Sequence, residues 1–170
     1  MNIKKLTQLA MLTALGLALH IIEAGIPNPF MGIAPGAKLG LANIIGLITL
    51  ILFGLKYALA VNLLRCFIGG LASGAVTSMM YSLAGAFVST ILMWFVYRFF
   101  KKYFSLVGVS VFGAFGHNVA QLTVASLIIN NAKIFTYLPV MMFVSIITGV
   151  FIGISANFTI SKARIHFNHA

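Results

Sequence analysis

The sequence predicts an all-α integral membrane protein with six transmembrane helices and both termini on the cytoplasmic side. Three observations carry that expectation. Hydrophobic residues make up 61% of the chain and charged residues only 7%, which would coat a water-soluble domain with large apolar patches. The apolar stretches are continuous and do not alternate, so helices satisfy the backbone in lipid where a closed β-barrel would need alternation. The cations fall at alternate ends of these stretches, as the positive-inside rule requires. The 170 residues leave room for one bundle and no separate soluble domain.

The first helix is expected over 6–24. The opening "MNIKKLTQLAMLTALGLALHIIEAG" is similar to a signal peptide, but further hydrophobic spans follow it, so it reads as a retained helix. Next comes "GIPNPFMGIAPGA", whose three prolines and three glycines cannot continue a helix. A second helix is expected over 38–53 and a third over 57–70, followed by the small-residue stretch "GGLASGAVTS". The fourth, fifth and sixth are expected over 79–99, 106–130 and 137–160.

Charge placement sets the orientation. With the amino terminus inside, Lys4, Lys5, Lys56, Arg98, Lys101, Lys102, Lys162 and Arg164 lie on the cytoplasmic side and Lys133 faces out. Trp94, Tyr97 and Tyr103 then fall near the inner interface, and Tyr81 and Tyr137 near the outer. The net charge of +10 is explained by orientation and by anionic lipid. No RNP-like stretch, zinc-finger spacing or basic helix points to nucleic acid.

Several chemistries are excluded by residue type. Cys66 is the single cysteine, so no internal disulfide forms, and it reads as a small packing residue. Glu23 is the one carboxylate side chain, which rules out paired-carboxylate acid–base work and an aspartate-rich magnesium site for prenyl transfer. No P-loop and no metal-ligand cluster is evident.

The informative residues are polar ones in apolar spans, where a charge costs several kcal/mol unless it meets water, a partner or a ligand. Arg65, in "NLLRCFIGG", lies ~12 Å along its helix from Tyr57, too deep to snorkel easily. Asn62 shares its face. "GAFGHNVAQLT" puts His117 and Gln121 on one face, with Asn118 beside them. Asn43 lies below Lys38 in the second segment, which at ~24 Å is shorter than the ~30 Å hydrocarbon core. His20 and Glu23 end the first segment on the outer side.

Two readings follow. In one, Lys38, Arg65, His117, Asn118 and Gln121 line an outward-open cavity for a small anion, with Asn43 and Asn62 as further donors. In the other, Glu23 pairs with Lys38 or Arg65 and the amides bridge helices. One acid cannot neutralise two buried cations, so at least one needs water or an anionic ligand. Ala10, Ala14 and Ala18 form a stripe that lets another helix approach closely, whether within the bundle or from a partner.

"PGAKLGLANIIGLITL", "LLRCFIGGLASG" and "MYSLAGAFVSTILMW" resemble the Gx transporter family, also labelled heptaprenyl diphosphate synthase component I, over nearly the whole chain. That family in turn is similar to the substrate-binding S components of energy-coupling factor transporters. The resemblance implies six helices, a lid over 25–37, and docking of a transmembrane T component on the Ala10 and Ala14 face. Two ATPase subunits would hydrolyse ATP, so this chain would hold no cofactor and catalyse nothing. The family label implies an isoprenoid- or quinone-related ligand. It also implies a rival role as a non-catalytic accessory subunit of a heptaprenyl diphosphate synthase, and a self-contained secondary transporter remains a third reading.

Overall fold

The computed structural model describes residues 3–25, 40–74 and 76–168. Among them run α1 (Ile3–Ala24), α2 (Asn43–Phe53), α3 (Leu55–Ser73), α4 (Val76–Phe100), α5 (Leu106–Ile129) and α6 (Leu138–Asn168), with a short 3₁₀ turn at Ala132–Tyr137 before α6. Five helical stretches are long and apolar enough to cross a membrane, and α2 is an apolar helix below that length. The chain is therefore an all-helical, multi-pass membrane protein.

The shortest helix occupies the middle. α2 packs against each of the other five α-helices, whereas α1, among the described residues, packs only on α2 and α3. Its 11 residues, NIIGLITLILF, span only ~16 Å, and a helix apolar all round is one that is buried all round. Leu47, Ile48 and Leu50 join Val61, Met93, Val109, Ile152 and Ala156 in the main core.

Boundaries shift where glycine sets the backbone. The second helix, expected from Lys38, begins at Asn43, because Gly40 has φ +82 and leads into a turn over Leu41 and Ala42. That left-handed region is open to glycine and strained for other residues. Gly54, at φ +89, separates α2 from α3. The third helix runs past Gly70 to Ser73, where Gly74 closes it in a left-handed cap. The sixth runs beyond Ile160 to Asn168.

Cations gather at one end of the bundle. Lys5 Nζ sits 3.8 Å from the centre of the Tyr57 ring, bringing the starts of α1 and α3 together. Ile51, Tyr97, Lys101, Ser105 and Asn157 line one cleft of about 420 Å³, so the ends of α2 and α4 meet the start of α5 and the later half of α6 there. Lys133 lies beyond the far end of α5, ~36 Å along that helix. Tyr81 packs inside the bundle near that far end. It is buried in a second cluster with Leu122, Ala125, Ile134 and Met141.

Close packing of α5 on α6 depends on the glycines in "GVFIG". A Cβ added at Gly149 would lie 2.6 Å from Val111 Cα, and one at Gly153 would lie 2.5 Å from Val107 Cα. Backbone touches backbone there, as small residues allow in lipid-embedded helices.

Candidate functional site

Arg65 is the centre of the polar interior. It stands ten residues into α3 and is 2% exposed, at a depth of ~15 Å from the helix start. Its Nε donates to Asn62 Oδ1 at 2.9 Å, one helical turn back. Its Nη2 donates to Asn43 Oδ1 at 2.8 Å, at the first residue of α2. A guanidinium has five N–H donors and no acceptor. Among the described residues these two amide oxygens are its hydrogen-bond acceptors.

Two hydrogen-bond chains extend from it. Asn62 Nδ2 donates to Thr90 Oγ1 at 2.8 Å on α4, and the Thr90 hydroxyl donates to Ala86 O at 2.7 Å. Asn43 Nδ2 meets His117 Nδ1 at 3.1 Å on α5, and His117 Nε2 meets the Gln121 side-chain amide one turn on. Asn43, Asn62, Arg65, His117 and Gln121 are each at most 4% exposed. The structure thus brings together five of the residues expected at the site, from α2, α3 and α5. Buried polar groups that satisfy one another in this way hold a unique geometry.

Glycines make the room. An added Cβ at Gly16 of α1 would lie 2.9 Å from Arg65 Cδ, one at Gly46 of α2 would lie 2.8 Å from Asn62 Cγ, and one at Gly85 of α4 would lie 2.6 Å from His117 Cε1. Gly40 faces both Asn43 Nδ2 (3.0 Å) and His117 Cδ2 (3.3 Å). Arg65, Asn62 and His117 therefore each pass a helix that has no side chain at that point. These glycines and Thr90 were not among the expected site residues. The available signal was a lone glycine inside an apolar helix, as in "IIGLITL", which is costly unless something packs there.

Asn118 belongs elsewhere. Its Nδ2 donates to Met141 O (3.1 Å) and Ser145 Oγ (2.7 Å), tying α5 to α6. The reason is helical phase: neighbours in sequence point about 100° apart, while His117 and Gln121 share a face. Asn118 Oδ1 is buried and has no hydrogen-bond partner among the described residues.

Of the two expected pairings of Glu23, the one with Arg65 does not form, and the one with Lys38 falls outside the described residues. Glu23 Oε1 accepts from the Gly40 N–H, and its Oε2 accepts from the Ala42 N–H at 3.4 Å. The one carboxylate therefore holds the turn that enters α2, next to Asn43. Lys38 and residues 26–37 of the expected lid lie outside the described residues.

The alanine stripe is exposed. Ala10, Ala14 and Ala18 face outward on α1, opposite the buried Leu9, Gly16, His20 and Glu23. Ala10 and Ala14 border an apolar groove of about 610 Å³ between α1 and α3, along with Leu6, Leu17, Tyr57 and Leu64.

Neither the curated proteins nor the solved structures contain a match to this chain. A family model does match, over residues 12–159, which takes in α2 through α5 whole together with every residue of the Arg65 network. On that match the chain belongs to the family described as heptaprenyl diphosphate synthase component I.

Proposed function

We propose that this chain is a non-catalytic membrane subunit that binds a small anion on Arg65 and passes it to partner subunits. One observation carries the reading: a guanidinium 2% exposed in mid-helix, with two of its donors placed on amide oxygens. A permanent charge at such depth is costly to keep for structure alone. Amide acceptors leave its charge uncompensated, so an anion that displaces one of them gains a charge-assisted, bidentate bond. Asn43, Asn62, His117 and Gln121 orient the guanidinium, and Lys38 guides the anion towards it.

In its fuller form the proposal is an S-component-like subunit of an energy-coupling factor uptake transporter. A transmembrane T component docks on the exposed Ala10, Ala14 and Ala18 face, and two ATPase subunits supply the energy. Both termini lie in the cytoplasm, the membrane is the cell membrane, and the anion is an isoprenoid- or quinone-related precursor. The family description supports a second reading, in which the chain is a membrane accessory to a soluble heptaprenyl diphosphate synthase. With one carboxylate side chain in the sequence, the magnesium chemistry of such an enzyme would belong to the other subunit.

Affinity purification of the tagged chain from its native membrane separates the two. Recovery of a transmembrane partner with two ATPases, lost on Ala14→Leu, supports the transporter subunit. Recovery of a soluble synthase whose activity falls without this chain supports the accessory.

A further inference from the structure

The network fixes the protonation of His117. Arginine is a donor only, so its bond from Nη2 requires Asn43 to turn Oδ1 towards Arg65. The other end of the Asn43 amide is then a donor, and it meets His117 Nδ1 at 3.1 Å. That ring nitrogen must accept. With Nδ1 accepting, the neutral ring carries its proton on Nε2, and the Gln121 amide, whose nitrogen is placed against Nε2, must turn its oxygen there to accept. Arg65 thus sets, through Asn43, which nitrogen of His117 carries the proton.

This polarity has a consequence when Arg65 takes a ligand. An anion on Nη2 replaces the Asn43 oxygen. The released Asn43 amide can turn, presenting its oxygen to His117 Nδ1, and Nδ1 can then hold a proton. We propose that binding of a doubly charged oxyanion, of the phosphate or diphosphate class, at Arg65 is linked to uptake of one proton by His117. The proposal rests on the anion reading above and adds the proton and the charge of the ligand. Arg65 and protonated His117 together match the charge of a dianion, whose burial with only one positive partner would be costly.

The ionisable groups on the described elements around His117 are few, and Lys38, two residues before Gly40, lies outside the described residues. On α5 it is the one ionisable side chain, α2 has none, and α6 has none between Leu138 and Phe158. α4 meets the ring at Gly85, with Tyr81 one turn before it. α3 contributes Arg65 through Asn43. α1 contributes Glu23 through the Gly40 turn, with His20 one turn below it.

Asn43 is the positioning residue and Arg65 the binding residue. Nitrogen-15 spectra of the histidine-labelled full chain in micelles read the tautomer directly, with His117→Gln identifying the signal. The expected form is Nε2–H, changing to Nδ1–H in Asn43→Asp, where a carboxylate accepts from both neighbours. An Nδ1–H tautomer in the native chain overturns the inference. Sulfate, which does not titrate near neutrality, is the binding probe. Its affinity should rise about tenfold for each unit fall in pH while His117 is neutral in the free chain, and should lose that slope in His117→Gln. Sulfate binding that ignores pH removes the proton linkage and leaves the anion site standing. No sulfate binding at any pH removes the site and the linkage together.

Discussion

Arg65 Nη2 and Asn43 Oδ1, 22 residues apart in sequence, are joined at 2.8 Å in the middle of the bundle. The bond ties a permanent charge on α3 to the first residue of α2, the short central helix. From that point one chain of donors runs to His117 and Gln121, and the other to Asn62 and Thr90. The arrangement satisfies two donors of the guanidinium and leaves its charge without a counter-ion among the described residues.

Arg65→Met removes the donor to both amide oxygens while keeping most of the side-chain volume. Asn43 and Asn62 each lose an acceptor's partner, at about 1–3 kcal/mol for each buried group left unsatisfied. Partial relief comes from no longer burying a charge. We expect a net loss of about 1–3 kcal/mol, read as a lower midpoint of unfolding in detergent. Arg65→Lys should be no better at satisfying both amides, because an ammonium lacks the planar fork.

Gly46→Ala tests the room made for Asn62. The new Cβ would lie 2.8 Å from Asn62 Cγ, and Asn62 is held at both ends by Arg65 and Thr90. It cannot swing aside without breaking one of those bonds. Overpacking of this kind costs about 1–3 kcal/mol. Thermal unfolding should show it, and anion affinity should fall in the same variant.

Much of this was legible beforehand and some was not. Arg65 with Asn62, and His117 with Gln121, are local pairs on one helical face, so spacing alone brought each pair together. The joining of those pairs through Asn43 is a tertiary contact, which periodicity does not encode. Asn118 adjoins His117 in sequence yet faces another helix, which adjacency in sequence does not reveal. The apolar run that opens at Lys38 predicts an earlier start for α2 than Asn43, whereas the backbone is decided by Gly40 at φ +82. Glycines opposite the polar side chains looked like ordinary close-packing residues, since what a missing side chain makes room for lies on another helix.

Glu23→Gln tests the turn into α2. The carboxylate accepts from the N–H groups of Gly40 and Ala42, and an amide offers one oxygen in place of two. One N–H therefore loses its acceptor, at about 1–2 kcal/mol. Hydrogen exchange at those two amides should quicken, with the interior of α4 unchanged.

Cysteine labelling tests the orientation. Cys66 is buried, so Cys66→Ala provides a silent background. A cysteine introduced at Lys133 should react with an impermeant maleimide applied to intact cells, and one at Lys101 should react only after the membrane is opened. The reverse pattern would invert the topology and, with it, the side from which cargo arrives.

The most direct test of an anion site at Arg65 is mass spectrometry of the gently purified chain, native and Arg65→Met side by side, for retained small molecules. The account predicts an anionic compound held by the native chain and missing from a folded Arg65→Met variant. The same compound retained by both would contradict it.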